Sequence, residues 1–350
     1  MTHLRDARQR RPGPTAVVLA VLLLLSLVGS LALGTETVPV RAVVDVVGQH
    51  LTGGRGADPV ADVIVWELRA PRAVLAAVVG AGLTLAGLAM QTLVRNPLAD
   101  PYLLGVSSGA GVGATAVITT GLLGGWGLWA LSGGALIGAL GASVIVYLVA
   151  SAQGGLTPLR LVLSGVVLSS AFSAVASFLV FAAQDSRAAQ SVLFWLLGNL
   201  TGATWTKVWL PAVVVLLATA LLLACSGWMD ALAAGPDTAA SLGVPVVGLR
   251  RSLFGGLAVL VGVLVAVSGG IGFVGLVLPH LARRLVGARH RSLAVVAALG
   301  GALFLLWVDV LARMLFRPLE IPIGVVTGVV GAPVFLLLMG RAEYRFGSAR

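Results

Sequence analysis

RAPRAVLAAVVGAGLTLAGLAMQTLVRNPLADPYLLGVSSGAGVG, residues 69–113, is the stretch whose reading decides the fold. An apolar run with small residues at Gly80, Gly82, Gly87 and Ala89 ends in a polar turn, Arg95-Asn96-Pro97-Leu98-Ala99-Asp100-Pro101, and a second apolar, glycine-rich run follows at once. Small residues at helical spacing let helix backbones approach closely in lipid, where apolar side chains alone give helices little reason to associate. The two prolines end one helix and delay the start of the next. The stretch therefore reads as a tight helix–turn–helix hairpin in a membrane. Asn96 and Asp100 are expected to cap helix ends around the turn, where free backbone groups would be costly in lipid.

Composition extends this reading to the whole chain. Only 10% of the 350 residues are charged and 58% are hydrophobic, whereas a soluble domain carries about 25% charge. A transmembrane helix needs roughly 20 apolar residues, so the chain has room for many spans and none for a large water-soluble domain. The net charge of +10 does not point to nucleic acid. The basic residues sit in short interruptions between apolar runs, without a basic stripe or an aromatic platform for bases. Cys225 lies in an apolar run with no metal-ligand neighbours in sequence and reads as a small core residue.

Working outward, residues 1–14 are a basic tail expected on the cytoplasmic side, and 15–34 form a first apolar run read as an uncleaved helix. Residues 35–67 read as an extracytoplasmic segment, with a short amphipathic helix over 40–51 lying on the bilayer surface. Nine further apolar runs follow at about 71–93, 102–121, 127–150, 159–183, 207–226, 251–268, 271–286, 292–312 and 322–340, with 341–350 as a cytoplasmic tail. The expectation is one transmembrane domain over 15–340: an all-α, polytopic membrane protein of about ten transmembrane helices. With the N-terminus inside, 15 of the 23 basic residues fall on inner segments, the sign that the positive-inside rule demands.

Catalytic signatures are missing from the sequence. There is no phosphate-binding loop, HExxH helix or Gly-x-Ser-x-Gly elbow, and His3, His50, His280 and His290 are scattered. Asp309 is the deep ionisable residue, and Arg313 four residues on predicts an intrahelical pair. An ion-driven carrier would be expected to show more intramembrane charge, and a membrane-embedded enzyme a nucleophile or ligand cluster. Without coupling groups or a nucleotide site, the chain would take its energy from another subunit.

Residues 229–243, MDALAAGPDTAASLG, form a predicted inner elbow: two short helical stretches broken at Gly235-Pro236, with Asp237 placed to cap the second. Such an elbow suits docking into another protein's groove, or is an ordinary surface loop. Arg69, Arg72 and Arg313 lie at outer helix ends, where cations would steer an acidic partner or snorkel as anchors. Gln91, Asn96, Ser107 and Ser108 are polar groups in or beside spans, suited to interhelical hydrogen bonds. Trp195, Gly198, Asn199, Trp205 and Trp209 surround an outer loop and read as an interfacial belt or as the mouth of a pathway. Thr157 and Pro158 open a helix on the inside.

The chain closely resembles FecCD-type permeases, the membrane subunits of ABC importers for iron–siderophores, haem and cobalamin. The resemblance is carried by Arg-x-Pro-Arg at 69–72, Gly-Leu-x-x-Gln at 87–91, Asn96-Pro97-Leu98-Ala99-Asp100-Pro101, Leu104-Gly105-Val106-Ser107-Ser108-Gly109-Ala110, and the closing motifs at 320–327 and 331–335. It implies a BtuC-like permease fold whose helix-turn signature and path include Gln91, Asn96, Pro97, Asp100, Pro101, Gly105, Ser107 and Ser108. It implies that Leu232, Gly235, Asp237, Ala239, Ser241, Leu242 and Gly243 meet a separate ABC-type ATP-binding subunit. Arg69, Arg72 and Arg313 would meet an extracytoplasmic substrate-binding protein, and Thr157, Pro158 and Leu159 would line an inner gate. A second permease subunit would complete the path as a homodimer or heterodimer in the bacterial cytoplasmic (inner) membrane. The resemblance implies no cofactor on this chain, with ATP used by the partner, and ranks iron–siderophore first among cargoes. The family's elbow motif is imperfect here: Ala234, Pro236 and Ala240 stand where leucine, an acid and arginine are frequent.

Overall fold

The computed structural model describes residues 11–34, 36–54, 58–183 and 185–340. Most of the expected basic tail, Arg55 and the 341–350 tail lie outside the described residues. All regular structure within them is helical.

Helix α1 (Pro12–Ala32) starts three residues before the expected run, because proline in the first turn forfeits only an amide that has no helical partner anyway. The amphipathic helix α2 (Val40–Leu51) falls where its periodicity puts it. Its Val43 and Val46 are buried in the protein core, so that face packs on the bundle and is not left to the bilayer surface. The second span begins earlier than expected. A short α3 (Pro59–Asp62) runs through a π-helical turn (Val63–Arg69) into α4 (Ala70–Leu93), one continuous 35-residue helix. The wide turn lies immediately before Pro71, which lacks an N–H and would crowd the carbonyl four residues back in a regular α-helix.

The remaining expected runs appear as α5 (Val106–Thr120), α6 (Ala130–Ala152), α7 (Pro158–Ala182), α9 (Trp205–Ala224), α12 (Val246–Ser268), α13 (Val274–Val286), α14 (His290–Met314) and α15 (Ile323–Gly340). Among the described residues, seven helical stretches are long and apolar enough to cross a membrane. α5, α13 and α15 are shorter, at 15, 13 and 18 residues, which makes ten an approximate count. One helix was not expected: α8 (Ser186–Leu196), started by the Asp185 carboxylate accepting from the Arg187 amide. The inner elbow is α10 (Ser226–Ala234) and α11 (Pro236–Ser241).

α4 is the axis of the bundle: 78% of its spanning window is buried, against 11% for α7 at the edge. Side chains at Gly80 and Gly87 would collide with the backbone of Gly301 and Gly275 respectively. α4 therefore lies directly on α14 and on the start of α13, as small residues permit in lipid.

Candidate functional site

At the end that the charge distribution places inside, called the inner end, the helix–turn hairpin closes by local hydrogen bonds. The Asn96 Oδ1 accepts from the Leu98 amide at 2.9 Å, an Asx turn and not a helix cap. Asp100 does cap: its Oδ1 accepts from the Tyr102 amide at 2.8 Å, opening a 3-10 turn over Pro101–Leu104 that passes through Gly105 into α5. Burial pushes the Asp100 carboxyl up to about 6, with the Tyr102 amide pulling the other way. The Tyr102 hydroxyl accepts from the Ile271 amide at 3.0 Å and lies 3.1 Å from the Ile271 carbonyl, which fixes the turn to the break between α12 and α13. Gln91 ties α4 to the same region, donating to the Leu276 carbonyl at 2.9 Å and accepting from Arg283 at 3.2 Å.

The elbow sits at this end too, with Gly235 beside Arg95. The break falls at Gly235, whose φ of 142° explains glycine there. Asp237 lies in the first turn of α11 without a side-chain capping bond. This corrects the expected cap, although its charge still suits a helix N-terminus. Leu232, Gly235 and Ala239 are buried, while Asp237, Ser241, Leu242 and Gly243 are exposed. Leu242 is 68% exposed, a large apolar side chain presented outward. The elbow thus has an anchored face and an open one.

Thr157 starts α7, its hydroxyl accepting from the Arg160 amide at 3.5 Å, with Pro158 in the first turn and Leu159 exposed. Ser107 and Ser108 on α5, Ser173 and Ser177 on α7, and Leu193 and Leu196 on α8 line a cavity of about 410 Å³. The lining is small hydroxyls and aliphatic groups, without a charged side chain. Trp195 is buried, whereas Trp205 and Trp209 are exposed. The Trp205 indole donates to the Trp66 carbonyl at 3.0 Å, and the His50 ring stacks flat on Trp66 with its Nε2 2.8 Å from Asp62.

The opposite end differs from expectation. Asp309 is fully buried and its neutralisation is not confined to its own helix. Arg313 Nε lies 3.1 Å from Oδ2, but Arg72 of α4 donates to Oδ1 at 2.9 Å and to both Glu320 oxygens at 3.1 and 2.9 Å. Arg69 donates to the Leu31 carbonyl at 2.7 Å and to the Glu36 carbonyl, and Arg313 reaches the Leu33 carbonyl at 3.3 Å. Arg69 and Arg313 are buried, and the Arg72 side chain is 11% exposed. The three arginines read as outward-facing cations are therefore matched internally, where two carboxylates and several carbonyls satisfy them. Reading charge by position along one helix missed this, because the carboxylate partners of Arg72 lie 237 and 248 residues away and the carbonyl partners of Arg69 come from the segment after α1.

Sequence reasoning also missed the links made by His290. Its Nδ1 lies 2.6 Å from Asp230 Oδ1, and its Nε2 lies 2.8 Å from Thr92 Oγ1. No spacing rule joins residues 60 and 198 positions apart.

The FecCD transport family model matches residues 21–341 of this chain. The chain is 38% identical over 331 residues to the ABC transporter permease YvrB of Bacillus subtilis, covering 93% of this chain and 92% of that one. It is 41% identical over 290 residues to the cobalamin import system permease BtuC of Halobacterium salinarum (83% and 77%). With the vitamin B12 import system permease BtuC of Citrobacter koseri it shares 38% over 335 residues (95% of each). Among solved structures, an inward-facing metal-chelate type ABC transporter superposes with a TM-score of 0.82 at 34% identity, covering 93% of this chain and 99% of the other. The PsaBC structure from Streptococcus pneumoniae shares the fold at a TM-score of 0.56 and 18% identity, covering 78% and 91%.

Proposed function

This chain belongs to the FecCD transport family and is a multi-pass ABC importer permease, and from that premise we propose that it moves a bulky metal chelate across the bacterial cytoplasmic membrane, with cobalamin ranked first. Two permease subunits form the path between them. An ABC-type ATP-binding subunit docks on the elbow, and an extracytoplasmic binding protein delivers the cargo. The chain holds no cofactor of its own, and ATP is consumed by the partner. Nucleotide binding closes the ATPases, the elbow moves with them, and the paired subunits rock to give alternating access.

The observation that carries the reading is the two-faced elbow, whose buried Leu232, Gly235 and Ala239 anchor it while Asp237, Ser241, Leu242 and Gly243 remain open to a partner. Serine and aliphatic lining at Ser107 and Ser108 supports a path that grips its cargo weakly, with Gln91 and the turn from Asn96 to Gly105 holding its frame and Thr157, Pro158 and Leu159 at the inner gate. On the outer face, Arg69, Arg72 and Arg313 serve docking by fixing the shape of the loops and not as free charges. Cobalamin is placed before iron–siderophore, reversing the order taken from the family at large, because relatives at 41% and 38% identity carry cobalamin or vitamin B12 in their names. An iron chelate is the second reading, favoured by the metal-chelate transporter among the structural matches.

The test is reconstitution of the chain with its ATP-binding subunit and binding protein in sealed vesicles. ATP-dependent uptake of labelled cobalamin is expected. Uptake of a ferric siderophore and not of cobalamin would reverse the ranking, and absence of ATP-dependent uptake of any chelate would refute the permease mechanism.

A further inference from the structure

α4 and α14 run antiparallel and are pinned to each other at three levels. At the outer end Arg72 of α4 holds Asp309 of α14 at 2.9 Å. In the middle, Gly80 and Thr84 of α4 lie against Gly301 of α14, too close for any further side chain. At the inner end Thr92 of α4 meets His290 of α14 at 2.8 Å. A 25-residue helix is about 37 Å long, enough to cross the bilayer. Polar pins at both ends and backbone contact between them leave the pair little freedom to slide or splay.

The elbow packs on this pair and is hydrogen-bonded to it through one carboxylate. Asp230 of α10 accepts from the His290 backbone amide at 2.9 Å and from the His290 ring at 2.6 Å. Its carboxylate thus sits on the N-terminus of α14, where the helix dipole favours negative charge, and makes charge-assisted bonds of the shorter, stronger kind. Among the described residues, beyond bonds to the chain immediately before and after the elbow such as Ser226 Oγ to the Leu223 carbonyl at 2.8 Å, this is the hydrogen-bonded link from α10 and α11 to the rest of the bundle. The other contacts of α10 are apolar, through Met229 and Leu232. At the far end of α14, the same rigid pair holds the loop through Glu320 and the segment after α1 through Arg69 and Arg313.

We infer that Asp230 and His290 form a force-bearing joint that converts movement of the elbow into movement of the α4–α14 pair as one body, so that the outer loops move when the elbow does. Asp230, His290 and Thr92 are positioning residues that touch neither nucleotide nor cargo. The inference rests on the permease reading but adds a specific mechanical route to it. An apolar contact can slip under load, whereas the Asp230 carboxylate, itself 42% exposed but held on the buried His290 at a helix N-terminus, must break two hydrogen bonds to do so.

The test uses the full complex in sealed vesicles and reads cargo uptake per ATP hydrolysed, a ratio that a lower yield of folded protein does not move. Asp230→Ala and His290→Ala are expected to lower the ratio roughly tenfold, within the range of coupling between distant sites. His290→Asn keeps a side-chain N–H near the Nδ1 position and should recover most of the loss. An unchanged ratio in both alanine variants would overturn the joint, as would a loss that asparagine does not repair. If the alanine complexes come apart on size exclusion, Thr92→Val carries the same decision, because it removes one hydroxyl at nearly constant volume. A wild-type complex that takes up nothing refutes the permease reading instead, so the two failures are distinct.

Discussion

The two ends of the bundle use polar side chains in opposite ways. At the outer end Arg69, Arg72, Arg313, Asp309 and Glu320 are drawn inward and satisfy one another or nearby carbonyls. At the inner end the elbow buries Leu232 and Ala239 and leaves Asp237, Ser241 and Leu242 outside. The first arrangement holds loops in place, and the second presents a surface. Exposure, and not the presence of charge, separates a cross-link from a surface open to a partner.

Breaking the outer network should have the largest effect on stability. Asp309→Ala leaves the buried Arg313 without a carboxylate and Arg72 with Glu320 alone, and removing one partner of a buried ion pair costs about 3–5 kcal/mol. A marked fall in thermal midpoint in detergent is expected, and an unchanged midpoint would mean that the network is not structural. Glu320→Gln probes the same network at its wetter edge. Its side chain is 29% exposed, so the loss should be about 1 kcal/mol or less, close to that of a surface pair.

Asp100 gives a test at the inner turn with the opposite sign. Its carboxyl is raised from 3.8 to about 6, so the folded protein holds a proton that the unfolded chain releases earlier. That contribution is fully present below about 3.8, fades as pH rises through about 6, and leaves a cost at pH 7. Asp100→Asn keeps the Oδ1 that accepts from Tyr102 and should raise the midpoint slightly at pH 7, with a flatter pH dependence between the two values. The smallest stability effect is expected at the elbow. Leu242→Asp should shift stability by no more than roughly 0.5 kcal/mol, as exposed substitutions do, yet sharply reduce ATP-dependent uptake. Full uptake in that variant would move the docking surface away from the second elbow helix.

What could be read from the chain divides along the same line as its hydrogen bonds. The Asn96 and Asp100 turns, the Gly235 break and the α2 helix are set by neighbours a few residues away, and they lie where the sequence puts them. α8 escaped because its Asp185 start sits in a stretch taken for loop. The Arg72–Asp309–Glu320 network and the Asp230–His290–Thr92 link escaped for another reason: their partners are 60 to 248 positions apart. Helical periodicity says which residues share a face, but not which helix will lie against that face.

By itself the sequence determined that this is a helical membrane protein, because a chain with 10% charge and repeated apolar runs must satisfy its backbone within helices in lipid. It also determined the hairpin turn and the position of the elbow, through prolines, glycines and short polar side chains that act locally. Only the tertiary structure decided that the outer arginines point inward, that α4 and α14 are pinned at both ends, and that one carboxylate joins the elbow to them. Those outcomes depend on which helices pack together, and burial makes an unpaired charge so costly that each packed arginine must find its partner wherever the fold has placed one.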